Sequence, residues 1–246
     1  MTCTPEELLI SLLADMQAED RHVAVGSASP IPGAAALLAK AEKAERKQGR
    51  MQVSILHSRQ DNPFTAGSRE LFDLAARGAI DSFFLGGVQI DGQANINLVG
   101  IGEYPSLKRR FPGSFGSALM YYVVPKVILF REEHSPRTLV EKVDFVSAPG
   151  ISAPEVHRPG GPHALVTGKA VFDFDRTRGR FVLKTVHEGE TVDSIRDATG
   201  FDFDVGDVGP TPLPSADRLA RIRGEIAGKV ATFYPEFANR VWGLAA

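Results

Sequence analysis

The chain has 246 residues, 43% apolar and 24% charged, the balance of a globular protein long enough for a sizeable core, not of a disordered or fibrous one. Lys and Arg number 28 against 30 Asp and Glu, and a net charge of −2 supplies no field for a polyanion, which argues against nucleic acid as the main ligand. One cysteine, Cys3, cannot close an internal disulfide, the start Met1-Thr2-Cys3-Thr4-Pro5 has no basic leader, and apolar runs such as residues 34–39 fall far short of the roughly 18 residues of a membrane span. The expectation is a cytoplasmic protein, neither secreted nor membrane-bound.

Thr4, Pro5 and Glu7 stand as N-cap, first and third residues of a helix, and Leu8, Leu9, Leu12, Leu13 and Met16 continue at helical spacing, predicting a helix over 5–19 with Cys3 in a floppy terminus before it. A strand at 22–25 stops at Gly26, and a turn-rich loop, Gly26-Ser27-Ala28-Ser29-Pro30-Ile31-Pro32-Gly33, leads into an Ala-rich helix over about 33–47. A second unit repeats the order: strand 51–56, a polar loop through Pro63, helix 68–77; a third strand follows at 80–85. This alternation predicts an α/β fold, a mostly parallel sheet covered by helices. Beyond Gly86 glycines are frequent, and strands are expected at 88–91, 94–99, 123–130 and 143–147, with a hairpin of 164–174 and 180–186 around Arg176-Thr177-Arg178-Gly179. A proline-rich stretch at 210–214 precedes a last amphipathic helix over about 215–229. No repeat or low-complexity segment breaks the chain, which reads as a single domain over 1–246.

Three backbone constellations can hold chemistry. The loop from Gly26 to Gly33 is either an ordinary strand-to-helix turn or a place where amides at a helix start hold phosphate or thioester oxygen. Gly86-Gly87-Val88-Gln89-Ile90-Asp91 with Asn95-Ile96-Asn97 is a tight hairpin that turn chemistry alone explains, or a ligand cradle. Pro112-Gly113-Ser114-Phe115-Gly116-Ser117 is a plain loop, or one whose amides meet a developing oxyanion. The six histidines, at 22, 57, 134, 157, 163 and 187, never fall at a metal-ligand spacing, so no metal site is expected. His57 follows a buried-looking strand, where α/β folds place catalytic groups, although a loop histidine is also commonly just solvated. Neither G-x-S-x-G nor G-x-x-x-x-G-K-[ST] occurs.

Taken together, Phe84-Leu85-Gly86-Gly87-Val88-Gln89-Ile90-Asp91, Asn95-Ile96-Asn97, Ile101-Gly102-Glu103-Tyr104, Gly113-Ser114-Phe115-Gly116, Lys142-Val143-Asp144-Phe145-Val146-Ser147-Ala148-Pro149-Gly150 and Thr199-Gly200-Phe201-Asp202-Phe203 resemble, in order and spacing over roughly residues 20–205, the β subunit of family I coenzyme A transferases, the glutaconate branch above all. The resemblance implies the CoA-transferase and sugar-phosphate-isomerase-like fold with added β-hairpins, and an α subunit that completes the site, as an inferred α2β2 assembly. It implies that Asn97 and the loop of Gly113, Ser114, Phe115 and Gly116 line the CoA thioester, with Gln89 beside them, and that CoA is part of the substrate with no further cofactor. In those transferases a glutamate at the end of the second central strand attacks the thioester. Here Val53-Ser54-Ile55-Leu56-His57-Ser58-Arg59 puts His57 in its place, and Phe115 replaces a glycine.

Among relatives without that glutamate, the chain resembles the β subunit of actinobacterial cholesterol ring-cleaving hydrolases. That likeness implies hydrolysis of a carbon–carbon bond in a cyclic β-keto acyl-CoA of the 6-oxocyclohex-1-ene-1-carboxyl-CoA type, late in steroid degradation. Its principal base is expected in the α subunit, leaving His57 to orient water and Arg59 to bind a substrate carboxylate. Two rivals remain: a transferase β subunit with a displaced carboxylate, Asp61 or Glu70, and a non-catalytic ligand-sensing module, for which no basic or helix-turn-helix segment is visible. A β subunit alone would expose surface that its partner covers, so poor behaviour in isolation is expected.

Overall fold

The computed structural model describes residues 2–244. In chain order its elements are α1 (Pro5–Met16), β1 (His22–Val25), α2 (Pro30–Glu45), β2 (Gln52–Ile55), α3 (Ser68–Ala76), β3 (Ser82–Leu85), β4 (Gln89–Ile90), β5 (Ile96–Asn97), β6 (Gly100–Ile101), β7 (Arg109–Arg110), α4 (Ser117–Val123), β8 (Lys126–Arg131), β9 (Pro162–Thr167), β10 (Ala170–Asp175), β11 (Arg180–Val186), α5 (Val192–Ala198), β12 (Asp204–Pro210), α6 (Ala216–Arg221), a π-helical turn (Ile222–Ile226), α7 (Ala227–Ala231) and α8 (Pro235–Trp242). The chain divides into two compact units, one of Met1–Leu71, Ala79–Phe84 and Pro212–Ala246, the other of Phe72–Gly78 and Leu85–Thr211.

In the first unit, α1 starts with the capping box read from the sequence. Thr4 Oγ1 accepts the Glu7 amide at 3.2 Å, and Glu7 Oε2 accepts the Thr4 amide at 3.0 Å. Burial pushes the Glu7 carboxyl up, but Arg223, donating from Nε at 2.6 Å, holds it below the usual range. Arg223 also donates to the Thr2 carbonyl at 2.8 Å, so the segment around Cys3, expected to be floppy, is tied down. β1 pairs in parallel with β2 and β3, Val23 lying opposite Val53 and Ser82. β1 and β3 are buried throughout, which is why they read as continuous runs without polar alternation. α2 begins at Pro30 rather than near 33, because Pro30 suits a first turn whose amides need no partner; only Gly26 to Ser29 remain as connecting loop. Arg218 of α6 forks onto Glu42 of α2 with two 2.8 Å bonds and reaches Asp15 of α1 at 2.7 Å, so one guanidinium joins three helices. The helix expected over 215–229 is broken by the π-helical turn into α6 and α7, and α8 extends beyond it.

In the second unit β8 and β9 are parallel, β9, β10 and β11 antiparallel, and β11 and β12 parallel. The two arms expected as one hairpin are three strands, since the chain reverses at Gly168 and Lys169 between β9 and β10. β4 and β5 form an antiparallel ribbon in the predicted place but two residues long each. β6 and β7 form another, and β12, with the sequence Asp-Val-Gly-Asp-Val-Gly-Pro, carries no apolar pattern by which it could be read. Residues 143–147 are not a strand. Their polar groups are spent elsewhere: the Asp144 carboxylate accepts the Gly102 amide at 2.7 Å, and Ser147 Oγ accepts the Leu98 amide at 2.8 Å. Phe172 meets Phe181 and Phe203 edge-on at 6.1 and 5.2 Å in the core of this unit. Among strands of four residues or more, four of these pairings are parallel and two antiparallel, giving a mixed α/β fold, and among the described residues no helix is long and apolar enough to cross a membrane.

His134, 6% exposed, lies between Thr167 Oγ1 at 2.7 Å and Thr199 Oγ1 at 2.9 Å. Burial, reinforced by the charge of Lys169, lowers its pKa from 6.5 to about 4. The folded state therefore refuses a proton that the unfolded chain accepts. Stability from this group is complete above the unfolded pKa and is lost as the pH falls toward 4, by up to about 3 kcal/mol. Urea unfolding at pH 7 and pH 4.5 should show a smaller acid loss for His134→Gln than for the unmodified chain; equal losses would assign the effect to other groups.

Candidate functional site

In the first unit the parallel register carries the chain ends of β1 and β2 to one edge. The Leu56 amide donates to the Val25 carbonyl at 3.0 Å, continuing the pairing one residue past β2 before the chain turns at Leu56 and His57. Ser58 closes that turn. Its amide donates to the Ile55 carbonyl at 3.0 Å, and its Oγ accepts the Gln60 and Asp61 amides at 3.2 and 3.0 Å while donating to Asp61 Oδ2 at 3.1 Å. Asn62 Nδ2 donates to the Leu56 carbonyl at 3.2 Å. The loop is thus held from within, and His57 stands exposed at its tip, with no hydrogen bond to its ring nitrogens among the described residues. Arg59 is also exposed and, among the described residues, makes no ion pair.

The two carboxylates expected as substitutes for the transferase glutamate, Asp61 and Glu70, are engaged within their own loops. Asp61 is bound by Ser58 of its own loop, and Glu70 is turned onto the Thr65 and Ala66 amides at 2.6 and 3.1 Å. Those amides, Ala66 first, hold the Glu70 carboxyl below its ordinary pKa, fixing it as an ionised loop closure. What does meet His57 is Tyr234, between α7 and α8, whose ring stacks on the imidazole at 4.9 Å and 3°. Its hydroxyl donates to the Ser27 carbonyl and accepts the Ser29 amide at 3.2 Å. Tyr234 lies too far from His57 along the chain for any local pattern to connect them.

In the second unit Gln89 and Asn97, on facing strands of the β4–β5 ribbon, are brought together. Asn97 Nδ2 donates to Gln89 Oε1 and to the Gly100 carbonyl, both at 2.7 Å, and Asn97 Oδ1 accepts the Val99 and Gly100 amides at 3.0 and 3.2 Å. Gln89 Oε1 also accepts the Asp144 amide at 2.9 Å. Asn97 is fully buried, so both amide side chains stand as the frame of the ribbon rather than at a surface.

The loop of Gly113, Ser114, Phe115 and Gly116 has a different character. Gly113 (φ 101°) and Phe115 (φ 43°) occupy the left-handed region, and Phe115 is 85% exposed. A strained backbone under an exposed aromatic ring is the kind of local cost that persists at working sites. Gly116 caps α4 under the ring of Phe72, where a Cβ would lie 2.0 Å from Phe72 Cζ; Phe72 and Phe115 are 5.7 Å apart. The Ser117 amide is used by the Ser114 carbonyl at 2.7 Å, whereas the amides of Phe115 and Gly116 have no partner among the described residues. Two neighbouring free amides can receive an oxyanion. A cavity of about 800 Å3 in the same unit, walled by Lys142, Arg178, Arg180 and Phe201, takes in Asp91 and Asn95 of the β4–β5 turn but not Gln89, Asn97 or the loop of Gly113 to Gly116, and its arginines are balanced by Asp202 and Asp204. Among the described residues no cluster of His, Cys, Asp or Glu could hold a metal ion.

The chain belongs to the coenzyme A transferase family, whose sequence profile, described as Coenzyme A transferase, matches residues 1–198. It is 33% identical to the β subunit of the glutaconate CoA-transferase of Acidaminococcus fermentans over 150 residues, 58% of this chain and 56% of that one. It is 29% identical to the cholesterol ring-cleaving hydrolase IpdB subunit of Rhodococcus jostii (strain RHA1) over 166 residues, 63% of this chain and 62% of the relative. The sequence matches therefore span less than two thirds of these curated relatives. Structures extend further: Rhodococcus jostii RHA1 IpdAB superposes with a TM-score of 0.76 at 25% identity, covering 91% of this chain and 94% of that one. A variant of the decarboxylase AibA/AibB gives a TM-score of 0.75 at 26% identity, covering 90% and 95%.

The frame role of Asn97 has a measurable consequence. Asn97→Ala leaves the Val99 and Gly100 amides and Gln89 Oε1 short of partners, and should lower unfolding stability by about 3 kcal/mol in urea titration. A change confined to substrate affinity, with stability intact, would instead make Asn97 a ligand contact.

Proposed function

We propose that this chain is the β subunit of an enzyme that opens a cyclic β-keto acyl-CoA by hydrolysing a carbon–carbon bond, and that it works only with an α subunit. The observation that carries the reading is the end of β2, where an exposed imidazole takes the place a thioester-forming carboxylate would need, while Asp61 and Glu70 are held in their own loops. An imidazole cannot form the acyl anhydride through which a carboxylate passes CoA from one acid to another. It can hold and polarise a water molecule.

In this reading water adds to the ring ketone, the bond between that carbon and the carbon bearing the thioester breaks, and its electron pair passes to the thioester as an enolate that is then protonated. The products are a carboxylate and an opened acyl-CoA, with the thioester intact. Deprotonation of the water falls to the α subunit, His57 orients the water, and Arg59 takes the substrate's carboxylate arm through its planar fork. CoA enters as part of the substrate. Support comes from the relatives named above: the IpdB subunit is called a cholesterol ring-cleaving hydrolase, and AibA/AibB a decarboxylase, so breaking carbon–carbon bonds accompanies this fold elsewhere. The 33% identity to a glutaconate CoA-transferase subunit favours acyl-CoA:carboxylate transfer as the second reading.

One assay separates the two. The chain purified with its α subunit is given a cyclic β-keto acyl-CoA in ¹⁸O-labelled water with acetate present. Label in a new carboxylate with the thioester preserved supports hydrolysis, and formation of acetyl-CoA with the ring closed establishes transfer. His57→Ala should lower ring opening by up to roughly 10²-fold, the scale of losing the group that positions a reactant; unchanged turnover would remove His57 from the mechanism.

A further inference from the structure

His57, in the turn after β2, is exposed to solvent, yet it is not left to swing. Its imidazole lies flat on the ring of Tyr234, 4.9 Å between centroids and 3° from parallel, and no hydrogen bond to the described residues fixes its plane. Tyr234 is itself held at several points. Phe233 packs against it edge-on at 5.0 Å, the Tyr234 amide donates to the Val230 carbonyl at 2.7 Å, and the Tyr234 carbonyl accepts the Ala238 amide at 3.0 Å at the start of α8. The tip of the ring is tied to the other loop on this edge, through the Ser27 carbonyl and the Ser29 amide.

We infer that Tyr234 is a positioning residue for the reaction: its ring face sets the plane of the His57 imidazole, and its hydroxyl sets the loop of Gly26 to Ser29, so that one side chain holds the loops after β1 and after β2 in a fixed relation. The inference rests on the reading of His57 given above. The chemistry is consistent with it. An aromatic face restricts the imidazole without occupying either nitrogen, leaving both for water or substrate, which a hydrogen-bonded partner would not do. Burial raises the Tyr234 pKa, so the hydroxyl keeps its proton and goes on donating to Ser27 across the working range of pH. Freezing a ring that would otherwise sample several rotamers is the kind of preorganisation that speeds a reaction without touching the reacting atoms.

The two functions of the side chain can be separated in the complete α–β complex. Tyr234→Leu removes the stack and the hydroxyl; Tyr234→Phe keeps the stack and removes only the tie to Ser27 and Ser29. With ¹³Cε1-labelled histidine, the His57 resonance should carry the ring-current shift of a stacked partner in the unmodified complex and in Tyr234→Phe, and lose it in Tyr234→Leu. Turnover should fall about tenfold in Tyr234→Leu, chiefly in kcat, and remain within about threefold in Tyr234→Phe. In the His57→Ala background Tyr234→Leu should cost nothing further, the sign that it acts through His57. A His57 resonance indifferent to Tyr234→Leu overturns the inference, as does an undiminished loss in the His57→Ala background. If His57→Ala alone leaves turnover intact, the reading of His57 as a reacting group fails, and the resonance still reports whether Tyr234 holds the ring.

Discussion

Parallel pairing of β1 with β2, Val23 against Val53, is the constraint on which the rest of the site depends. Parallel neighbours end on the same edge, so the loops that follow them, Gly26 to Ser29 and Leu56 to Ser58, are brought side by side although about thirty residues separate them in the chain. The register is held by the backbone ladder itself, from His22 opposite Gln52 through Val25 opposite Ile55, and by the Leu56 amide on the Val25 carbonyl. Everything that sets His57 at the tip of its loop follows from that register: the Leu56 amide on the Val25 carbonyl, the turn closed by Ser58, and the ring of Tyr234 laid across both loops.

The second unit solves a different problem. Between Gly86 and Gly116 the strands are two residues long, too short for a backbone ladder to hold a segment in place. Side chains take over. Asn97 and Gln89 satisfy amides from two neighbouring stretches, Val99–Gly100 and Asp144, and the Asp144 and Ser147 side chains do the same from the segment whose sequence reads as a strand. The loop that follows keeps two amides free and carries an exposed phenyl ring on a left-handed backbone. Stability in this unit is thus concentrated in buried polar networks and in the aromatic cluster around Phe172, while the loop of Gly113 to Gly116 keeps its amides unspent.

Membership of the coenzyme A transferase family sets the fold, and the proposed chemistry rests on two local features within it. Replacing a carboxylate by an imidazole at one strand end exchanges a nucleophile for a group that handles protons. Replacing a glycine by Phe115 adds a flat apolar wall beside amides that can receive an oxyanion. The proposed reaction on the acyl group draws on both.

Much of this was legible in the chain alone. Thr4, Pro5 and Glu7 announced α1 because a capping box is local chemistry, and β1 and β3 announced themselves by the buried apolar runs Val23 to Val25 and Phe83 to Leu85. The unusual residue at the end of β2 could also be seen, since it needed only the motif around it. Tertiary structure decided the rest. β12 has no pattern to read, because its pairing with β11 and not its own residues makes it a strand. Residues 143–147 look β-prone yet serve the β4–β5 ribbon through side chains. Asn97 reads as a ligand contact until its burial shows all its hydrogen-bonding groups already in use. Tyr234 meets His57 only because the last helices fold back over the first unit, and a contact across such a sequence distance is fixed by packing, which no local propensity records.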